Sequence, residues 1–262
     1  MPTERFLAHL SWTQIRNLPK DPGVVILPVG AVEQHGPHLP TLTDTLLATQ
    51  VLNRTLAQLP DEVQAWALPA VNYGKSNEHV GFPGTITLST ATLTAVLQDI
   101  AASVKQAGFR RLAFFNGHGG NVAVLDAAAR DIRANTGLLT FCLHPSLYCE
   151  PPFPTTPEEQ RFGIHAGEIE TSLVLAIAPE LVRMEQAVRH YPDFPNDVAP
   201  LFMFGTASAA WLSRDWSPTG VFGDATLATA EKGEALLSAA TVRLGRLISA
   251  ISRFEVAHDG NS

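Results

Sequence analysis

The chain has 262 residues, 45% of them hydrophobic and 16% charged, which supplies enough apolar material for one sizeable core. A formal net charge of −7, with no basic run longer than Arg110–Arg111, excludes the basic face that nucleic-acid phosphates require. The opening stretch MPTERFLAHLSW has no basic segment followed by an apolar one, and the apolar runs fall short of the ~18 residues of a membrane span, so neither a signal peptide nor a membrane partner is expected. Cys142 and Cys149 make no disulfide framework in a chain this long, and a cytoplasmic protein is the default expectation.

In chain order, residues 24–29 predict a buried strand and residues 45–59 a helix with apolar positions at Leu46, Leu47, Val51, Leu52 and Leu56. A second strand is expected over 63–68, and a helix over 91–107 closed by Gly108. A third strand over 111–115, a helix over 122–134 and a fourth strand over 138–143 follow. The Pro-rich stretch 150–159 predicts loop, 167–177 a helix ended by Pro179, 191–223 an irregular segment, and 227–251 a long helix. Strand–helix alternation with short connections predicts a single α/β domain over 1–255, with a mainly parallel sheet flanked by helices on both faces and a frayed tail over 256–262.

In open sheets of this kind, ligands gather beyond the carboxyl ends of the strands, and the polar clusters fall there. After the first strand comes GAVEQHGPHLPTLTDT, in which Glu33 and His35 are two apart and project the same way from an extended backbone. Asp44 stands where the next helix begins, either as a helix cap or as a ligand. After the third strand comes NGHGGN, whose glycines let the backbone turn around His118; it matches neither a dinucleotide fingerprint nor a P-loop. The third cluster, HAGEIETS, opens a helix; on helical spacing His165 and Glu168 share a face while Glu170 points elsewhere.

Imidazole and carboxylate groups without thiolate suit zinc or manganese in a catalytic site. The candidates Glu33, His35, Asp44, His118 and Glu168 exceed what one catalytic ion takes from protein, so two divalent ions with Asp44 as the shared carboxylate are expected. Ser76, Asn77, Glu78 and His79, after the second strand, are candidates for lining the substrate pocket, as are Gly119 and Gly120 through their backbone N–H groups.

The strings LPVGAVEQHGPHLP…TDT, GFPGTITL, FNGHGGN and HAGEIETS, in this order over residues 24–180, resemble the creatininase family. The resemblance implies an α/β fold, a dinuclear zinc or manganese centre, hydrolysis of a small amide at a C–N bond, and a homo-oligomer, commonly a hexamer. By position, Glu33, His35, Asp44 and His118 match metal ligands, and His165 matches a proton-transferring histidine. Creatinine-hydrolysing enzymes carry Tyr and Glu directly after the third-strand histidine, and that Glu is a ligand; Gly119 and Gly120 stand there in this chain. Glu168 is therefore expected to supply the carboxylate and to join His165 in catalysis. The Gly-Gly form resembles a broader branch that includes a formamide hydrolase and a peptidase of cofactor biosynthesis. The alternative of another class is a non-enzymatic metal-binding assembly subunit, which needs no His165.

Overall fold

The computed structural model describes residues 4–193, 207 and 209–256. A short helix α1 (Trp12–Asn17), capped by Ser11, leads into strand β1 (Val24–Val29), helix α2 (Thr43–Gln58) and strand β2 (Ala65–Ala67). Helix α3 (Thr90–Gln106), strand β3 (Arg111–Asn116), helix α4 (Val122–Thr136) and strand β4 (Leu139–Leu143) complete the alternation. The strands are parallel and ordered β2-β1-β3-β4. The expected parallel α/β sheet is thus present.

Its two faces follow from the alternation of side chains along each strand. Val24 and Ile26 of β1 and Ala113 and Phe115 of β3 pack under α2, whereas Val25, Leu27, Leu112 and Phe114 pack under α3 and α4. Because the chain leaves β1 for one edge and returns to β3 on the other side, the order reverses between the two central strands. Val29 and Asn116 are register partners at their carboxyl ends. The segments that leave these two residues diverge from one crevice, the switch point where α/β sheets place their ligands.

Beyond β4 the Pro-rich stretch departs from the expected loop. A short helix α5 (Ser146–Cys149) precedes it, and the last three residues of the stretch begin helix α6 (Pro157–Phe162). The α6 start is local chemistry: the Thr156 hydroxyl accepts from Glu159 N at 3.1 Å, and Pro157 stands in the first turn, where its missing N–H costs nothing. Helix α7 (Glu168–Ile177) follows, then the antiparallel pair β5 (Arg189–His190) and β6 (Gly223–Asp224), with α8 (Ser213–Trp216) between them. Of the segment expected to be irregular, 194–206 and 208 lie outside the described residues, as does the 257–262 part of the expected frayed tail.

The last helix, α9 (Ala230–Arg253), is capped by Thr229 and begins three residues later than expected, after a 3-10 turn at Ala225–Leu227. By length and composition alone it is apolar enough to cross a membrane, unlike the short runs read from the sequence. Its stripe of Leu236, Leu237, Ala240, Leu244 and Ile248 is instead buried with α2, α7 and β1, as the core helix of an α/β domain requires. The approach to α7 is close: a Cβ at Gly233 would lie 1.9 Å from the Ser172 carbonyl oxygen. Gly233→Ala must therefore push α7 and α9 apart, with an expected loss on the order of 1–3 kcal/mol typical of overpacking. Thermal unfolding checks this; an unchanged midpoint would contradict the packing.

Candidate metal centre

The first segment beyond β1 is held extended by Glu33 N donating to Thr41 O (2.9 Å) and Ile86 N donating to Val32 O (2.8 Å). This backbone sends Glu33 and His35 to the same side, where both are fully buried. Asp44 lies inside the first turn of α2, beyond the cap position held by Leu42, and is also buried. Of its two readings, the capping one is therefore set aside: no side-chain cap bond forms at this helix start.

His118 is carried by the turn after β3, and the asparagines of NGHGGN hold that turn rigid. Asn116 brackets it, accepting from His118 N at 3.1 Å and donating to His118 O at 2.8 Å. Asn121 donates to Gly30 O and Asn116 Oδ1 (3.0 and 3.2 Å) and accepts from Lys75 N (2.8 Å), which ties three strand-end loops together. The Tyr148 hydroxyl donates to Gly117 O at 2.6 Å.

These elements bring together the four residues singled out first. Asp44 sits between two imidazoles, with Oδ1 3.2 Å from His35 Nε2 and Oδ2 3.3 Å from His118 Nδ1. Glu33 Oε2 lies 3.1 Å from His118 Nε2, and Glu33 Oε1 lies 3.3 Å from His79 Nε2. His35 Nδ1 donates to the Glu33 carbonyl at 3.1 Å and Nε2 donates to Asp44 Oδ1 at 3.2 Å, so both ring nitrogens carry protons and Nε2 is the one an ion would take.

Both Glu33 oxygens and Asp44 Oδ2 are buried yet accept no hydrogen bond. A buried carboxylate left without partners costs several kcal/mol, so a donor set of this kind fits divalent cations. The protein groups alone answer the charge by sharing protons. Burial pushes the Glu33 carboxyl up to about 7. At His35 burial works downward but is outweighed by Asp44, which holds the imidazole at about 9. At His118 burial is likewise outweighed, by Glu33 and Asp44, and its pKa is raised. An ion entering here displaces those protons, the usual linkage between metal affinity and pH.

His165 stacks between His35 and His79, with ring centroids 4.3 and 4.2 Å away. Its Nε2 donates to the Gln34 carbonyl at 2.7 Å, which leaves Nδ1 as the acceptor, 3.8 Å from Glu33 Oε1. Burial first, and then the neighbouring His79 and His35, hold it well below the ordinary histidine value, hence neutral. His79 Nδ1 accepts from the Gln34 amide and the Ser213 hydroxyl, both at 2.8 Å.

The third cluster corrects the sequence reading. Glu168 does not face the centre: it pairs with Lys232 on α9, and its backbone N–H donates to Glu159 Oε1 at 3.2 Å. The carboxylate at the centre is Glu170, whose Oε2 is 3.9 Å from His35 Nε2 and accepts from Ala166 N at 2.6 Å. The helical spacing that paired His165 with Glu168 does not apply, because α7 starts only at Glu168 and Ala166 adopts a left-handed φ of 53°. That turn swings His165 off the helix face.

The loop after β2 contributes more than expected. Ser76 is buried with its hydroxyl 3.4 Å from His118 Nε2, and His79 meets Glu33 as above. Asn77 is exposed and bonded to Lys75, so it does not line the cluster. Gly119 is exposed with open space where a side chain would go, whereas Gly120 abuts His118. Glu78, passed over as a ligand, lies 3.2 Å from His118 Nε2. Grouped by ligand atoms within 4.8 Å of one another, Glu33–His35–Asp44, Glu33–Glu78–His118 and His35–His165–Glu170 each could hold an ion.

Comparison with known proteins gives a consistent result. The family model described as creatinine amidohydrolase matches residues 8–248. The mycofactocin precursor peptide peptidase of Mycobacterium tuberculosis (strain CDC 1551 / Oshkosh) is 36% identical over 229 residues, covering 85% of this chain and 83% of its own. The creatinine amidohydrolase of Pseudomonas putida is 34% identical over 252 residues, covering 88% and 91%. A solved manganese form of creatininase superposes with a TM-score of 0.74 at 29% identity, covering 94% of this chain and 98% of that one. A Zn–Zn form of a creatininase mutant gives 0.72 at 29% identity, covering 94% and 97%.

The meeting of Asp44 with His118 depends on how closely α2 approaches the end of β3. A Cβ at Gly117 would lie 2.5 Å from the Asp44 carbonyl oxygen and 3.0 Å from Ala48 Cβ. Gly117→Ala is expected to separate the two loops, lowering stability by about 1–3 kcal/mol and disabling the centre with it. Unfolding and metal content measured on one preparation check this, and a variant matching the wild type in both would contradict the geometry.

Proposed function

The chain belongs to the creatininase family, and from that premise we propose that this amidohydrolase cleaves its amide C–N bond with two divalent metal ions, zinc or manganese. The observation that carries the proposal is the set of buried oxygens Glu33 Oε1, Glu33 Oε2 and Asp44 Oδ2, which accept no hydrogen bond while facing His79 and His118. Glu33, His35, Asp44 and His118 would hold the ions. Asp44, with one oxygen toward each imidazole, is the group both would share, and Glu170 completes the His35 side. Bound divalent ions supply a Lewis acid for the scissile carbonyl and bring the pKa of water toward neutrality.

The remaining chemistry belongs to the chain. His165 is neutral and its Nε2 proton is committed to the Gln34 carbonyl, so Nδ1 is free to take a proton from the attacking water and return it to the departing nitrogen. The stacked rings of His35 and His79 fix its plane, and Ser76 sits beside His118 where a substrate polar group can reach it. Gly119 stands where creatinine-hydrolysing enzymes carry Tyr, and the Mycobacterium tuberculosis relative is named as a peptidase, which supports a short peptide or a formylated amine of the kind the broader branch handles over creatinine. Creatinine, a formamide and short peptides assayed together decide this.

Stripping the protein with chelator is expected to abolish hydrolysis and lower the unfolding midpoint, and Zn²⁺ or Mn²⁺ to restore both. Indifference to chelation would sink the metal reading. Among the two glutamates of α7, Glu170→Gln is expected to lose activity and metal, whereas Glu168→Gln loses only the Lys232 pair and keeps both. His165→Ala should retain the ions while turnover falls roughly 10²–10⁴-fold, the usual loss for a proton-transferring group. Retained turnover would overturn the role given to His165, whereas a metal-loaded wild type without turnover on any of these amides would favour the assembly-subunit reading.

A further inference from the structure

The loop that carries Ser76 also presents an acidic side chain to the centre. Glu78 stands in a 3-10 turn (Asn77–His79), and its Oε1 lies 3.2 Å from His118 Nε2, on the nitrogen that also faces Glu33 Oε2 at 3.1 Å. The Glu33 carboxylate aimed into the same space is fully buried and accepts no hydrogen bond at either oxygen. His118 Nε2 thus faces two carboxylates and also the Lys75 carbonyl oxygen at 3.0 Å, three acceptors that one imidazole proton cannot serve, and ligand atoms of Glu33, Glu78 and His118 converge there.

The opposite wall of this space is Gly120. A Cβ there would lie 2.2 Å from Glu78 Oε1, 2.4 Å from His118 Nε2 and 2.4 Å from the Lys75 carbonyl oxygen. Glu78, His118 and the Lys75 carbonyl together leave no room for a side chain at position 120. The second glycine after His118 is therefore a spatial requirement of this packing, and not only a source of turn flexibility.

We propose that Glu78 is a protein ligand of the ion held by Glu33 and His118, in the space that glycine at position 120 leaves open beside His118. The inference rests on the dinuclear reading above and adds a ligand to it. With Glu78 included, four carboxylates (Glu33, Asp44, Glu78 and Glu170) surround the centre, matching the charge of two divalent ions. A side chain at 120 and a ligating carboxylate at 78 are mutually exclusive. An enzyme with Tyr and Glu after this histidine must build this side of its centre differently.

The test counts ions and does not depend on turnover. Wild type, Glu78→Gln and Gly120→Ala are stripped, reloaded with Co²⁺, dialysed and measured by elemental analysis, with the cobalt spectrum followed during titration. Wild type is expected to keep two ions per chain. Glu78→Gln is expected to bind the second at least about tenfold more weakly, as loss of a ligand contact demands. Gly120→Ala crowds Glu78, His118 and the Lys75 carbonyl at once, and is expected to weaken the second ion as well. Two ions at wild-type affinity in Glu78→Gln would overturn the assignment of Glu78 and leave the dinuclear centre standing. A wild type that binds none would overturn both. Circular dichroism of each variant separates ligand loss from misfolding, and should Glu78→Gln not fold, Glu78→Asp, which withdraws the carboxylate by one methylene, decides in its place.

Discussion

Negative charge that has been taken out of water is the constraint on which this molecule is organised. Glu33 and Asp44 are buried at the switch point of a parallel sheet, on segments leaving adjacent strands, and the backbone offers them no hydrogen bonds. A cluster like that disperses unless something cancels the charge or the scaffold prevents it. Here the scaffold is stiff. Asn121 binds the Gly30, Lys75 and Asn116 segments at once, Asn116 clamps the His118 turn, and Tyr148 reaches across from α5 to Gly117. These neutral amide and hydroxyl groups hold the loops in register without spending the acids' lone pairs, which remain directed into the centre. Stability is given up locally for a preorganised set of donors, the exchange expected at functional sites.

The same extended segment that delivers the acids also decides what two histidines can do. The carbonyl of Glu33 takes the Nδ1 proton of His35, and the next carbonyl, that of Gln34, takes the Nε2 proton of His165. Successive carbonyls point to opposite sides of an extended chain, so the two rings are anchored through different nitrogens. His35 presents Nε2 to Asp44 and Glu170, while His165 presents Nδ1 toward Glu33. Gln34 then uses its side-chain amide to hold His79, its own orientation fixed by Gly36 N donating to Oε1 at 2.8 Å. One four-residue stretch, Glu33–Gly36, thus sets Glu33 and the proton inventory of the rings around it.

How much of this was legible in the sequence depends on the range of the interaction. Alternation of apolar strands with amphipathic helices and the placement of polar clusters after strand ends are local signals, and they lead correctly to the parallel sheet and to the convergence of Glu33, His35, Asp44 and His118. The choice of Glu168 over Glu170 fails because helical geometry was extended one turn too far back. The left-handed Ala166 breaks that geometry, and the partner that claims Glu168, Lys232, is 64 residues away on α9. Glu78 is obscure for a related reason: a short 3-10 turn has no periodicity to show which way its side chain points. The one local trace of it is the glycine pair after His118, which reads as turn flexibility until the neighbouring loop is seen. The Pro-rich stretch hid a capped helix at Thr156–Pro157 because proline density masked a helix start that needs only one hydroxyl and one proline.

Whether a site of this composition serves catalysis or merely holds the fold together turns on the groups it does not need. A structural site closes its coordination with soft, tightly held donors, and thiolates are the usual choice. The chain has two cysteines, and neither takes part: burial pushes the Cys142 thiol up to about 12 and raises Cys149 as well, so both stay protonated. The donors gathered instead are oxygens and imidazoles, which exchange water readily. Beside them stands His165, neutral, with a free Nδ1, and packed between two other rings at the cost of its solvation. A binding-only protein has no reason to bury an imidazole whose single available nitrogen is turned toward the acids. A hydrolase does, since a proton must leave the attacking water and arrive at the departing nitrogen within the lifetime of one encounter.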